Sequence, residues 1–156
     1  DPAQSDAARI DAGLSALLRV WFTPGFLVLQ PIDWSTPANI LEKIIAYEAV
    51  HEITSWDALR ARLAPEDRRC FAFFHPRMPE EPLIFVEVAL TDHTPASIED
   101  VLQIERQALS PDDASTAVFY SISNCQLGKS GMACCTSAWS ECEGCYVQAE
   151  LAHSAF

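Results

Sequence analysis

The sequence predicts an α+β fold, with an N-terminal helix followed by a partial mixed or antiparallel sheet and its flanking helices. Three observations lead there. Apolar residues recur at helical spacing in the first part of the chain, runs of strand formers gather in the middle, and prolines separate two of those runs as a hairpin would require. The 156 residues are 49% hydrophobic and 10% aromatic, enough to bury the core of one domain, or of one domain plus a fragment of another.

From Ala7 to Phe22 the apolar residues Ile10, Leu14, Leu17, Leu18 and Trp21 form one helical stripe that stops before Thr23-Pro24-Gly25. Phe26-Leu27-Val28-Leu29 is too short for a helix and reads as a first strand closed by Pro31. Thr36 ahead of Pro37 is a helix start, because its hydroxyl can cap free N–H groups and Pro is tolerated in a first turn. Ile40, Leu41, Ile44, Ile45 and Tyr47 continue that helix to about Ala49. Ser55 opens a second helix carrying Trp56, Leu59 and Leu63, which Pro65 ends. Cys70 to His75 and Leu83 to Thr91 are expected to be adjacent antiparallel strands joined across Pro76, Pro79 and Pro82. A weak helical stretch at Ile98 to Ile104 precedes a third strand, Ala117 to Ser123. A sheet ending on that strand would leave an unpaired edge and favour self-association.

The formal charge of -12 would repel phosphate backbones and anionic lipid surfaces, so neither nucleic acid nor a membrane is an expected partner. No apolar run approaches the length of a bilayer span, and a cytoplasmic location is the default. The chain opens on Asp1-Pro2-Ala3-Gln4 without Met or a secretory signal, and a start inside a longer reading frame is expected. Cys70, alone beside an apolar run, reads as a buried reduced thiol. Five of the six cysteines fall from Cys125 onward, and beyond Gln126 the apolar periodicity dissolves into small residues, cysteines and glycines.

Chemistry is most legible at Asn124-Cys125-Gln126-Leu127-Gly128-Lys129-Ser130-Gly131. It follows a strand and carries glycines where backbone must approach something closely, so its N–H groups can face a phosphate. The Gly-Lys-Ser inside it imitates a nucleotide P-loop, but Ser123 stands where the first glycine is required, and an ordinary Gly-rich turn is the plainer alternative. Cys134 or Cys135, Cys142, Cys145 and His153 could supply four zinc ligands, against which stands the awkward adjacency of the first two. A non-catalytic module that binds nucleotide-type phosphates and a small zinc-binding interaction domain are therefore two readings that these residues leave open. His51 suits a helix end, where an imidazole meets terminal carbonyls. His75 and His93, near prolines, read as exposed loop residues.

Five ordered blocks give a family resemblance. Asp33-Trp34-Ser35-Thr36-Pro37, Glu48-Ala49-Val50-His51, Arg68-Arg69-Cys70-Phe71, Glu81-Pro82-Leu83 with Val88-Ala89-Leu90-Thr91, and Phe119-Tyr120-Ser121-Ile122-Ser123 resemble the malonyl-CoA decarboxylase family in order and separation, from about Leu14 to Gln126. The resemblance implies a cofactor-free lyase that turns malonyl-CoA into acetyl-CoA and CO2. It also implies that residues 1-25 end a helical domain used for homo-oligomer contacts. Residues 26-126 would form the front half of an N-acetyltransferase-like catalytic domain, in which CoA lies where two central strands splay apart. Gln126, Gly128 and Gly131 keep the family's Gln-x-Gly-x-x-Gly spacing for the CoA pyrophosphate. Ser121 matches a serine placed near the acyl group, where a hydroxyl can hydrogen-bond a thioester or carboxylate oxygen; a strand serine satisfied by neighbouring backbone is the plain alternative. The family's catalytic Ser, in a Ser-Pro-Ile-Pro-Gly-Phe motif, and its later His have no counterpart in these residues, and no metal is implied. The expectation is thus an incomplete, inactive chain whose residues 127-156 form an atypical Cys-rich tail, read as a frameshifted end or a divergent one.

Overall fold

The computed structural model describes residues 2–21, 24–125 and 147–150. Helix α1 (Pro2–Trp21) leads to strand β1 (Val28–Ile32), helices α2 (Ala38–Tyr47) and α3 (Trp56–Leu63), and strands β2 (Arg68–His75) and β3 (Met78–Thr91). The short helix α4 (Ile98–Leu102), strand β4 (Thr116–Asn124) and strand β5 (Val147–Glu150) complete the order. The five strands among the described residues form one antiparallel sheet arranged in sequence order, the α+β class that the patterning predicts.

Local chemistry sets the element ends. Ser55 Oγ accepts from the Ala58 N–H at 3.1 Å and starts α3, satisfying a donor that helix geometry leaves unpaired. Thr36 does not cap α2. Its hydroxyl accepts from the Asp33 N–H at 3.0 Å, closing the turn ahead of the helix, and Pro37 leads into α2 without a side-chain cap. Ser97 and Asp100 form a reciprocal capping box, which lets as short a helix as α4 persist.

Two proline-based boundaries move. Pro31 lies inside β1 and pairs in register with Phe71, because β1 is an edge strand and a missing N–H is tolerated on its outer side. β3 runs through Pro79 and Pro82 to a tight turn at residues 76–77. β4 pairs with β3 only from Ile84 onward, so the proline-bearing end of β3 is locally an edge as well. The hairpin forms as expected, with register shifts at Phe73 to His75. β4 is not the last strand: β5 pairs with it from Thr116 to Phe119 and covers that part of the edge.

The core lies between the sheet and helices α2 and α3. Cys70, Ala72 and Phe74 alternate inward along β2, beside Phe85 of β3 and against Ile44 and Leu59 of the helices. Along β4 the alternation breaks. Glu87 pairs with Ser121 and Val88 with Phe119, which makes Tyr120 the extra residue of a bulge. Val118 and Tyr120 pack with Ala89 and Val101, while Ser121 and Ser123 are buried as well, so two consecutive side chains, Tyr120 and Ser121, both turn toward the helical layer.

Helix α1 stands apart in this respect, since Ile10, Leu14, Leu17 and Trp21 are all exposed. Leu59→Ala and Phe85→Ala, at positions 0% and 1% exposed, should each cost about 2–5 kcal/mol in urea unfolding. Leu14→Ala, already solvated, should stay within about 0.5 kcal/mol of the parent. Equal losses at all three positions would contradict the placement of the core.

Candidate functional site

Polar side chains occupy the inner face of β4 where apolar ones would pack more cheaply, and they form one connected network. Glu48, the first residue past α2, leaves the helix in an extended conformation. Its Oε1 accepts from the N–H groups of Val50 at 2.9 Å and His51 at 2.8 Å. Both of its oxygens also lie 2.8 Å from the Ser121 hydroxyl, which donates to them. Ser123 Oγ accepts from the Ala49 N–H at 3.2 Å, so two serines of β4 tie down the turn that follows α2.

The network continues on the neighbouring strand. Glu87, the register partner of Ser121, is fully buried, and its Oε2 accepts from Arg62 Nη1 of α3 at 2.9 Å. Arg62 Nη2 donates to the carbonyls of His51 at 2.8 Å and Glu52 at 3.4 Å. A ring closes: Glu87, Arg62, the backbone of His51, Glu48, Ser121, and back to Glu87 across the β3–β4 pairing. Burial pushes the Glu87 carboxyl up to about 7 against the pull of Arg62, and the negative charge of Glu48 adds to the rise. Among the described residues Glu87 Oε1 and the Tyr120 hydroxyl are buried without a hydrogen bond. Tyr120 stands near enough to favour the charged form of Glu87, but outside hydrogen-bonding geometry. Cys70 flanks Glu87 on β2 and is 2% exposed; burial pushes its thiol well up, as a small hydrophobe in the core requires.

Among the described residues a cleft of about 570 Å³ lies elsewhere, between the start of β2 and the segment after α4. Its buried charged groups, Asp67 and Arg68, are both committed to protein partners. The Asp67 carboxylate accepts from Arg106 through both oxygens and from the Leu109 N–H at 3.1 Å. Burial raises the Asp67 carboxyl, but these bonds outweigh it and hold the group below the usual carboxylate range. Arg68, also buried, donates to the Val101 carbonyl at 2.6 Å and anchors α4. The cleft is a structural clamp. Among the described residues no group of three or more His, Cys, Asp or Glu is placed to hold a metal, and no helix is long and apolar enough to cross a membrane.

Of the residues singled out from sequence, Ser121 falls in the network. It is satisfied by a side chain from another element and not by neighbouring backbone. Gln126, Gly128 and Gly131 lie outside the described residues, as do Cys134, Cys135, Cys142, Cys145 and His153. His51 sits past the end of α2 and serves through its backbone, its N–H to Glu48 and its carbonyl to Arg62. His93 is exposed beside Asp92, and His75 ends β2, where its Nδ1 accepts from the Arg77 N–H at 3.1 Å. Sequence reasoning missed Glu48, Arg62 and Glu87. Glu87 had a signal: it is the one charge in the apolar run from Leu83 to Leu90, where a strand buried on both faces leaves no solvated position.

The family model described as "Malonyl-CoA decarboxylase C-terminal domain" matches residues 25–136. The mitochondrial malonyl-CoA decarboxylase of Anser anser anser is 41% identical over 122 residues, which cover 76% of this chain and 24% of that protein. The solved malonyl-CoA decarboxylase of Agrobacterium vitis is 60% identical with a TM-score of 0.76, covering 83% of this chain and 32% of that one. The structure from Rhodopseudomonas palustris, also 60% identical, gives 0.74 and covers 31% of that chain. This chain therefore spans about a quarter to a third of the length of the relatives it matches.

The Glu87 carboxyl has a pH consequence. Between its ordinary value of 4.5 and about 7 the folded state keeps a proton on Glu87 that the unfolded chain has released. Stability from this group is therefore full below that window and falls as pH rises through it, by roughly 3 kcal/mol in total. Glu87→Gln should remove this component. Urea unfolding at about pH 5 and about pH 7.5 should show the parent losing stability relative to the variant, and parallel pH profiles would refute the assignment.

Proposed function

The chain belongs to the malonyl-CoA decarboxylase family, and from that premise we propose that it carries the acyl-CoA-binding part of a carboxy-lyase that converts malonyl-CoA to acetyl-CoA and CO2. The observation that carries this reading is the family match across residues 25–136, which takes in β4, the sequence from Gln126 to Gly131 and every residue of the Glu48–Ser121 network. In the reaction the bond between the carboxyl carbon and the α-carbon breaks, CO2 leaves uncharged, and the electron pair passes to the thioester oxygen as an enolate. A proton then goes to the α-carbon.

The roles of oxyanion stabiliser and proton donor belong to the family's Ser-Pro-Ile-Pro-Gly-Phe serine and later histidine, which these 156 residues do not contain. This chain's own share is binding and orientation. Gln126, Gly128 and Gly131 are assigned to the diphosphate, where glycine lets backbone N–H groups approach the anion. Ser121, five residues upstream and fixed by Glu48, is assigned to the acyl end. Residues 1-25 are assigned to the end of a helical domain through which the whole protein forms homo-oligomers, and 26-126 to the front of the catalytic domain. The uncovered apolar stripe of α1 supports the first assignment. A cytoplasmic location belongs to the same proposal, although the goose relative is named as mitochondrial.

Titration calorimetry of the 156-residue chain with CoA tests the binding share. The chain should bind CoA and release no acetyl-CoA from malonyl-CoA. Gly128→Asp, which sets a negative charge beside the assigned diphosphate, should weaken binding about tenfold. Absence of binding by the parent, or unchanged affinity in the variant, would overturn the assignment of Gln126, Gly128 and Gly131.

A further inference from the structure

We propose that Glu48 is a positioning residue that sets the hydrogen-bond polarity of Ser121 and, through it, the discrimination between charged and uncharged acyl ends. This rests on the acyl end lying at Ser121, as proposed above. A hydroxyl has one proton to give and two lone pairs to offer. Ser121 gives its proton to Glu48, whose oxygens stand at the same 2.8 Å. Glu48 cannot swing away without breaking its bonds from Val50 and His51. The Arg62 bond to the His51 carbonyl holds that turn in turn.

A ligand that reaches Ser121 therefore meets lone pairs backed by a carboxylate. Such a surface accepts from N–H and O–H donors and gives no hydrogen bond to an anion. The methyl end of an acetyl group is indifferent to this, while the malonyl carboxylate that replaces it beside Ser121 goes unsolvated by it. Decarboxylation turns that carboxylate into neutral CO2 as the electron pair moves into the enolate. A hydrogen bond withheld from the carboxylate weakens binding of the ground state more than of the reacting state, so the arrangement favours turnover over tight substrate binding.

Glu48→Gln keeps the shape and inverts the polarity. The amide oxygen retains the Val50 and His51 bonds, the amide nitrogen donates to Ser121, and the hydroxyl proton turns to the ligand. Acetyl-CoA and malonyl-CoA are titrated separately against the 156-residue parent, E48Q, S121A and the E48Q/S121A double variant. The expected result is that E48Q tightens malonyl-CoA about tenfold relative to acetyl-CoA, and that this shift disappears when Ser121 is alanine. An equal change for both thioesters, or a shift that persists without Ser121, overturns the proposal. If E48Q does not fold, S121A decides. Malonyl-CoA that holds or gains affinity relative to acetyl-CoA supports a serine that withholds its proton, and a relative loss of about tenfold refutes it. Failure of the parent to bind either thioester would instead remove the carrier-binding reading and this inference with it.

Discussion

One extra residue in β4 decides which side chains meet the helices. Without the bulge at Tyr120, strict alternation would carry Val118, Tyr120 and Ile122 inward and leave Ser121 and Ser123 on the opposite face of the sheet. With it, the alternation resets between Tyr120 and Ser121, and both serines arrive under the turn that follows α2. The hydrogen bonds that Ser121 and Ser123 make to that turn depend on the reset. Glu48 would otherwise have only backbone N–H groups to hold it, and the turn from Glu48 to His51 would lose its two ties to the sheet.

The network that results is costly to bury. A carboxylate and a guanidinium taken out of water recover their solvation only when geometry is good and remaining polar atoms are paired. Arg62 meets that condition, with contacts to Glu87 and to two carbonyls. Glu87 meets it on one oxygen, and burial of the carboxyl raises its proton affinity despite Arg62. A core built for stability alone would place an aliphatic side chain at Glu87, as its neighbours Val86 and Val88 do. The polar groups beneath β4 thus trade core stability for a fixed hydrogen-bonded arrangement of Glu48, Arg62, Glu87 and Ser121.

The clamp around Asp67 shows the same physics with all partners present. Asp67 gathers Arg106 and the Leu109 N–H, Arg68 reaches Val101, and the segment between α4 and β4 is pinned to the start of β2. No sequence pattern announces these contacts, because Asp67 and Arg106 lie 39 positions apart and each alone reads as a solvated surface charge. The same holds for Glu48 and Ser121, separated by 73 positions.

What the sequence determined by itself were the quantities set by near neighbours. The helical stripes of α2 and α3, the strand runs of β2, β3 and β4, the Ser55 cap and the burial of Cys70 all follow from periodicity and local hydrogen bonding, and five ordered blocks were enough to point to the family. Tertiary structure alone decided the rest. Thr36 closes a turn in place of capping a helix, Pro31, Pro79 and Pro82 sit within strands because those strands are edges there, and β5 pairs onto β4. The inward turn of Ser121 belongs to this second group. Side-chain direction on a strand is a question of register against the partner strand, and a bulge changes that register without leaving a mark in composition or period.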